Sequence, residues 1–213
     1  MDILAEQGRL IDGVARALAA RYGRVEQFET HASRVLVAGG AALKFKKAVR
    51  LPFLDFSTLA ARRFFCEEEC RLNRRLAPRI YVGVARVSGT PQAPQLDGPG
   101  EALEYAVRMH AFAQQDLWGS RVASARLGGA DIDALAQALA RFHLDAAPAP
   151  ADSEWGSVQI AGDAFRDTLS ELAGLPLPPQ SQDDLAALGA WEGAQRERHG
   201  KSFGRRKARG MVR

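Results

Sequence analysis

The chain is short of cysteine and histidine, which limits the chemistry available to it. Two of its 213 residues are cysteine and four are histidine. Cys66 and Cys70 are four residues apart, a spacing with poor disulfide geometry, and no nearby third and fourth ligands complete a zinc site. The histidines form no catalytic or metal-binding cluster. We therefore predict reduced, partly buried thiols, no metal site and no catalytic residue of these types.

Long apolar segments are also missing. Apolar residues make up 46% of the chain, but they never form the run of roughly 18–20 residues that spans a bilayer. The first residues, Met1 to Glu6, lack the basic start and apolar core of a signal peptide. These absences predict a cytoplasmic protein with no membrane partner.

Positive charge is confined to the C-terminal end of the chain. The formal net charge is +4, yet residues 192–213 alone contain eight Lys and Arg against two acids. The rest of the chain is therefore slightly acidic and offers no general basic surface. Because this basic end contains only one aromatic residue, Phe203, nonspecific phosphate contact is the most it could offer to a nucleic acid. We do not predict a nucleic-acid partner.

The first half of the chain has the pattern of a small sheet with one inserted helix. Apolar residues at three- and four-residue intervals predict a helix over residues 3–22, and Gly39-Gly40 supplies the tight turn of a hairpin. Strands are predicted at 25–30, 34–38, 41–46, 80–88 and 104–109, loops at 51–55 and 90–100, and a helix from Ser57 or Asp55 to Leu76, before Pro78. The fold class is thus α+β, with about five mostly antiparallel strands.

The second half is predicted to be helical. Helices are expected at 131–143, 160–173 and 182–198, with an Ala/Pro linker at 146–151. We place a boundary near residues 112–115. This divides the chain into an N-terminal helix (1–24), a sheet lobe (25–112) and a helical region with the basic tail (113–213).

Three lysines at the end of the third strand suggest an anion site. Strand side chains alternate, so Lys44 and Lys46 point to one side and Lys47 to the other. A lysine on the inner face of a sheet requires an anion, either a carboxylate or a phosphate. The next helix carries Glu67, Glu68 and Glu69, one of which faces the sheet if Phe64, Phe65 and Leu72 do. The alternative is three solvated lysines on an edge strand.

Several blocks of sequence resemble the aminoglycoside phosphotransferase group, which has a protein-kinase-like fold. The blocks are Ala42-Leu-Lys44, Glu104-Tyr-Ala-Val-Arg-Met-His-Ala-Phe112 and Leu139-Ala-Arg-Phe-His143. A bacterial branch of that group is similar in Lys46-Lys-Ala-Val49, Leu54-Asp-Phe-Ser-Thr-Leu59, Arg62-Arg63, Cys66-Glu-Glu-Glu69 and Leu72-Asn-Arg-Arg-Leu-Ala-Pro78. The resemblance covers roughly residues 25–213.

The resemblance implies a kinase-like N-lobe that binds ATP. Lys44 would contact the α- and β-phosphates, with Lys46 as the reserve candidate, and Glu68 would hold the lysine by an ion pair. Met109 would lie at the back of the adenine pocket, while the backbone of His110 and Phe112 would bind the base. The turn Thr30-His-Ala-Ser33, which contains no glycine, would cover the phosphates.

The same resemblance implies that the chemistry lies outside this chain. The His-Gly-Asp loop and the later metal-binding aspartate of the group are absent, because His199-Gly200 is followed by Lys201. We expect a chain truncated before its catalytic loop and without phosphotransferase activity, Mg²⁺ binding being confined to full-length relatives. The acceptor small molecule cannot be predicted.

Two further expectations concern the role and the assembly of such a chain. A non-catalytic nucleotide-binding or regulatory interaction module is the alternative function. Truncation would also leave the apolar faces of the helices at 131–143, 160–173 and 182–198 uncovered, which predicts self-association.

Overall fold

A six-stranded antiparallel sheet forms the centre of the first half of the chain. The computed structural model describes residues 3–213. The strands are β1 Glu26–Glu29, β2 Ser33–Ala38, β3 Ala41–Lys46, β4 Arg50–Leu51, β5 Leu54–Asp55, β6 Tyr81–Gly89, β7 Pro94–Leu96 and β8 Glu104–His110. The helices are α1 Ile3–Tyr22, α2 Leu59–Asn73, α3 Trp118–Ala123, α4 Gly129–Asp145, α5 Val158–Ala173 and α6 Pro179–Ala208. The α+β class is therefore as predicted.

The sheet has the order β1-β2-β3-β8-β6-β7, and every neighbouring pair is antiparallel. All five predicted strands are present. The sixth, β7, comes from the Pro/Gly-rich segment that the sequence analysis assigned to a turn. Pro94 is compatible with it because β7 lies at the edge of the sheet, where a missing N–H is tolerated. The predicted loop at 51–55 contributes to a separate two-stranded ribbon, β4-β5.

Helices α1 and α2 pack against opposite faces of the sheet. Leu10, Ile11 and Val14 of α1 join a buried cluster with Leu43 and Phe45 of β3. The alternate residues of the strands, on the opposite face of the sheet, belong to a second buried cluster. Helix α2 completes this cluster with Cys66 and Cys70. Because alternate strand residues face opposite sides, each strand serves two cores. Helix α1 thus packs as a further layer on the sheet lobe.

The sheet-facing side of α2 does not carry the residues on which the choice among its glutamates was conditional. Phe64, Phe65 and Leu72 are exposed, Phe64 at 55%, whereas the residues that α2 buries are Arg62, Cys66 and Cys70. These three recur every four residues, so they share one face of the helix. The aromatic side chains are bulkier but more exposed.

The start of α2 also differs from the prediction. Thr58 is the N-cap, and its hydroxyl accepts a hydrogen bond from the Ala61 N–H at 3.1 Å. Asp55 instead accepts hydrogen bonds from the backbone N–H and the hydroxyl of Ser57 at 2.9 and 2.6 Å. The helix ends at Asn73, three residues before the predicted end.

The chain divides into two compact units between Ile132 and Asp133, within α4. The sequence analysis placed its boundary near residues 112–115, before the 3-10 turn at Gln114–Asp116 and α3. The extra residues of the first unit thus form two short helical segments and the start of α4.

The second unit is helical, and its main contact joins α5 to α6. The rings of Phe165 and Trp191 lie 6.3 Å apart, and Arg166 pairs with Glu192 at 3.3 Å. Helix α6 spans 30 residues and continues ten residues beyond the predicted end. Neither α4 nor α6 buries any residue. Self-association through these apolar faces stays a prediction.

None of the helices in residues 3–213 combines the length and the apolar content that a membrane span requires.

Candidate functional site

One carboxylate holds two lysines on the α2 side of the sheet. The Nζ atom of Lys44 lies 2.9 Å from Oε1 of Glu69, and Nζ of Lys46 lies 2.8 Å from Oε2. The two lysines share a side of β3, as strand alternation predicts. Glu69 lies on the face of α2 that Cys66 and Cys70 direct towards the sheet. The arrangement leaves one net positive charge at the site.

Glu68 is not the partner of either lysine, so that expectation was wrong. Its carboxylate binds Arg71 on the exposed surface of α2, with Nη2 of Arg71 at 2.6 Å. A helix turns by about 100° per residue, so a change of one position moves a side chain to a different face. Anchoring the helical phase on the two cysteines, rather than on the phenylalanines, would have selected Glu69.

The environment of Glu69 favours its charged form. Burial on its own raises the pKa of a carboxylate, but the hydrogen bonds from Lys46 and Lys44 outweigh it and hold the pKa of Glu69 below its ordinary value of 4.5. The carboxylate is therefore ionised at neutral pH.

A mostly apolar cavity of about 360 Å³ opens beside Lys44. This volume lies in the range of small-molecule sites. Its lining comes from β1, β2, β3, β6 and β8 and the segment after β8: Phe28, Val35, Val37, Ala42, Lys44, Tyr81, Met109, Ala111, Phe112 and Gln114. Among the residues that the structure describes, Lys44 is the only charged one in the lining, so the cavity combines apolar walls with a single cation.

The residues predicted to surround a base lie together at the end of β8. Met109 is buried, pairs with Ala42 across the sheet and lines the cavity. Phe112 also lines it. The His110 N–H donates to the Ile80 carbonyl at 2.8 Å, so a ligand at this point would have to use the carbonyl of His110. The Phe112 N–H donates to no acceptor within the described residues.

The turn between β1 and β2 is held by its own hydrogen bonds. The hydroxyl of Thr30 accepts from the N–H of Ser33 at 3.0 Å, and the carbonyl of Thr30 accepts from Nζ of Lys47 at 2.8 Å. Lys47 also pairs with Glu29 at 2.6 Å. Lys47 therefore points away from Lys44 and Lys46, as predicted, and stabilises this turn.

A second opening of about 420 Å³ adjoins the cavity around the β2–β3 turn. It shares Phe28, Val37, Phe112 and Gln114 with the cavity. The cation in its lining, Arg24, is paired with Glu26 at 3.5 Å. We favour the smaller cavity as the site because it has both apolar walls and a lysine.

A second charged cluster, which we did not predict, lies inside the fold. Arg62 of α2 donates through Nε to both oxygens of Glu104, at 3.0 and 2.9 Å. Gln7 of α1 donates to Glu104 Oε2 at 2.7 Å, and the Tyr105 N–H donates to Oε1 at 2.9 Å. These contacts join both helices to β8. The only signal in the sequence was the presence of charged residues at two otherwise apolar positions.

The two cysteines are free and buried. Burial raises the pKa of the Cys66 thiol to about 12, so it is neither a ready nucleophile nor a metal ligand at neutral pH. Across residues 3–213, no group of three or more His, Cys, Asp or Glu side chains could hold a metal ion.

Comparison with known proteins finds relatives but no family. No family model and no solved structure matches the chain. It is similar to uncharacterized proteins of Mycobacterium tuberculosis (strain ATCC 25618 / H37Rv) and Mycobacterium bovis, each 33% identical over 144 residues. The alignment covers 68% of this chain but only 27% of each relative. The chain thus spans about a quarter of the length of these relatives, whose printed names state no activity.

Proposed function

We propose that the sheet lobe binds a nucleotide and is the nucleotide-binding part of an ATP-dependent small-molecule phosphotransferase. The observation that carries this proposal is the cavity beside Lys44, whose lining combines apolar side chains with a lysine. A nucleoside phosphate has the complementary character, an aromatic base joined to a polyanion. The resemblance to the aminoglycoside phosphotransferase group motivates the choice of ATP.

The base would occupy the end of the cavity near Met109 and Phe112. Ala42 and Val37, which lie on neighbouring strands, line the cavity with small apolar side chains, and Phe112 supplies an aromatic ring. The free N–H of Phe112 provides a hydrogen-bond donor at the edge of this pocket. Apolar walls with a few directed polar groups are typical of sites that bind planar heterocycles.

The phosphates would bind at Lys44. Its side chain is 31% exposed, more than that of Lys46, and it lines the cavity. Glu69 takes the role that the resemblance assigned to Glu68, because it holds the strand lysine from the following helix. The sequence order of lysine strand, glutamate helix and later pocket strand agrees with a kinase-like N-lobe.

The residues described do not fit a magnesium site, since no cluster of three acidic or other ligating groups is present among them. We assign no step to a metal in this chain. The His-Gly-Asp sequence is also absent. We therefore propose that residues 3–213 bind the nucleotide and that phosphoryl transfer requires groups that they do not supply. The acceptor is left unassigned. Two buried free thiols favour a cytoplasmic location.

Calorimetric titration with ADP and ATP tests the proposal. The purified chain is expected to bind both, and Lys44→Met is expected to weaken binding about tenfold or more, because one charge-assisted contact is lost. Lys47→Met is the matched control, since it removes the same charge from the residue that follows β3 while leaving Lys44 and Lys46 in place. A folded protein that binds neither nucleotide would overturn the proposal.

A non-catalytic nucleotide-binding module is the second candidate, and it would use the same cavity. The two candidates differ in the behaviour of longer proteins that contain this lobe. Phosphoryl transfer from ATP by such a protein, abolished by the change equivalent to Lys44→Met, would favour the phosphotransferase. Nucleotide binding without any transfer would favour the module.

A further inference from the structure

Glu69 is shared between two lysines, although a single lysine would neutralise it. We propose that Lys46 is a positioning residue, which holds Glu69 in place so that Lys44 is free to bind the anionic group of the ligand. Lys46 itself would not contact the ligand. The inference rests on the proposed nucleotide site and explains why two lysines, rather than one, meet this carboxylate.

The surroundings of Lys46 leave it little freedom to reach a ligand. Its side chain is only 8% exposed, and its Nζ lies 5.0 Å from the centre of the Phe56 ring. Its backbone carbonyl accepts a hydrogen bond from Gln7 at 2.7 Å. Lys46 is not among the residues that line the cavity. Its ammonium group is therefore held between Glu69 and an aromatic face.

Lys44 differs from Lys46 in its exposure and in its position beside the cavity. It lines the cavity, its side chain is 31% exposed, and within residues 3–213 its ammonium group pairs with Oε1 of Glu69 alone. A movement of its ammonium group towards the cavity requires only that this one contact lengthen. The two lysines that share this carboxylate therefore differ in position: Lys46 lies inside the protein and Lys44 lies at the cavity.

Charge balance explains why the inner lysine matters. If Glu69 had Lys44 as its only partner, an incoming phosphate would compete with the carboxylate for the same ammonium group. Departure of Lys44 would then leave a poorly solvated carboxylate without a counter-ion, which is costly. With Lys46 bound to Oε2, Glu69 remains paired when Lys44 turns to the ligand. The site also keeps a positive charge that attracts the anion.

A double-mutant cycle with ADP separates positioning from direct contact. Lys46→Met is expected to weaken ADP binding about tenfold, beyond any change caused by the control Lys47→Met. Lys46→Arg, which keeps a cation beside Glu69, should restore most of that loss. In a Glu69→Gln background there is no carboxylate to compete for Lys44, so adding Lys46→Met should change binding by less than about twofold.

Equal losses from Lys46→Met in the wild-type and Glu69→Gln backgrounds would mean that Lys46 touches the ligand directly, and would overturn the inference. The inference would also be overturned if Lys46→Met weakened ADP binding no more than Lys47→Met does. In either case ADP binding by the wild-type protein would still support the proposed function. The two failures are therefore distinguishable.

Chemical modification supplies a readout that needs no ligand. Acetic anhydride acylates free lysine amines, and peptide mass spectrometry reports the rate at each position. In the Lys46→Met variant, Lys44 is the one lysine that still pairs with Glu69, so its ammonium group is held more strongly. Acylation of Lys44 should therefore slow by about threefold or more. It should be unchanged in Lys47→Met and faster in Glu69→Gln. Equal acylation rates in the wild type and Lys46→Met would contradict the inference even if no nucleotide binds. Thermal unfolding followed by circular dichroism confirms that each variant is folded.

Discussion

Two carboxylates in the sheet lobe, the buried Glu104 and the partly buried Glu69, have different surroundings. Glu104 is 1% exposed and meets an arginine, a glutamine amide and a backbone N–H. Glu69 is 12% exposed and meets two lysines, one of which borders a cavity. The single negative charge of Glu104 is balanced by one arginine, and its other partners are neutral. Glu69 has two cationic partners for its single negative charge, and one of them, Lys44, lies where a ligand can enter.

The comparison separates a structural ion pair from a candidate binding site. Arg62 and Glu104 neutralise each other, and Arg62 also donates to the carbonyls of Phe56 and Ser57 at 3.0 and 3.2 Å. Every buried polar side-chain atom of the described residues has a partner. Such a closed network supports the fold and leaves nothing for a ligand. The lysine pair, by contrast, carries an unmatched charge next to empty apolar space.

Removing Arg62 should have the largest effect on stability. Arg62→Met leaves Glu104 as a buried charge with only neutral partners, and we expect the free energy of unfolding to fall by about 3–5 kcal/mol. Urea unfolding measures the change. Arg63→Met is the matched control: Arg63 is an exposed neighbour paired with Glu67, and its removal should cost less than about 1 kcal/mol. Similar losses in the two variants would contradict a structural role for the Glu104 cluster.

Glu69→Gln should have an intermediate effect that depends on pH. The mutation leaves the buried Lys46 without its counter-ion, and we expect a loss of about 1–3 kcal/mol at neutral pH. Because the pKa of Glu69 is lowered in the folded protein, its charge stabilises the fold above the ordinary value of 4.5. That contribution disappears as the pH falls through the lower folded value.

Urea titrations of the wild type and Glu69→Gln at several pH values check this dependence. The difference in unfolding free energy between the two proteins should be constant near neutrality and shrink below about pH 4.5. A difference that stays the same into strong acid would show that Glu69 contributes through packing rather than charge. Arg63→Met, measured in parallel, reports the general effect of acid on an exposed pair.

Lys44→Met should have the smallest effect on stability. Lys46 remains bound to Glu69, so the carboxylate keeps a counter-ion, and we expect a change of less than about 1 kcal/mol. The same urea experiment measures it. A loss comparable to that of Arg62→Met would mean that Lys44 is a structural residue, and the distinction between the two carboxylates would fail.

Local patterns predicted much of the sheet lobe. The bounds of α1 and β3 agree with the prediction at both ends, and Gly39 and Gly40 adopt the positive φ angles, 57° and 78°, that the turn requires. Hydrophobic periodicity and turn residues determine such elements over a few neighbouring positions. The side of β3 that carries Lys44 and Lys46 follows from strand alternation in the same way.

Contacts distant in sequence were not predictable in this way. Arg62 and Glu104 are 42 residues apart, and no local rule pairs an arginine on a helix with the first residue of a later strand. The choice between Glu68 and Glu69 depends on which face of α2 meets the sheet. Small cysteines, not the large phenylalanines, occupy that face, so a ranking of residues by hydrophobicity selects the wrong side.

The most direct test of the central claim is to identify which lysine lies beside the phosphates of a bound nucleotide. An acyl phosphate of ATP places a reactive carbonyl next to the phosphate chain. A lysine Nζ attacks that carbonyl carbon, an amide forms, ATP leaves as the phosphate anion and the lysine proton passes to solvent. Peptide mass spectrometry then locates the acylated residue. The account predicts labelling of Lys44 that excess ADP suppresses, with Lys46 and Lys47 unlabelled. Labelling spread over exposed lysines such as Lys201, unaffected by ADP, would contradict it.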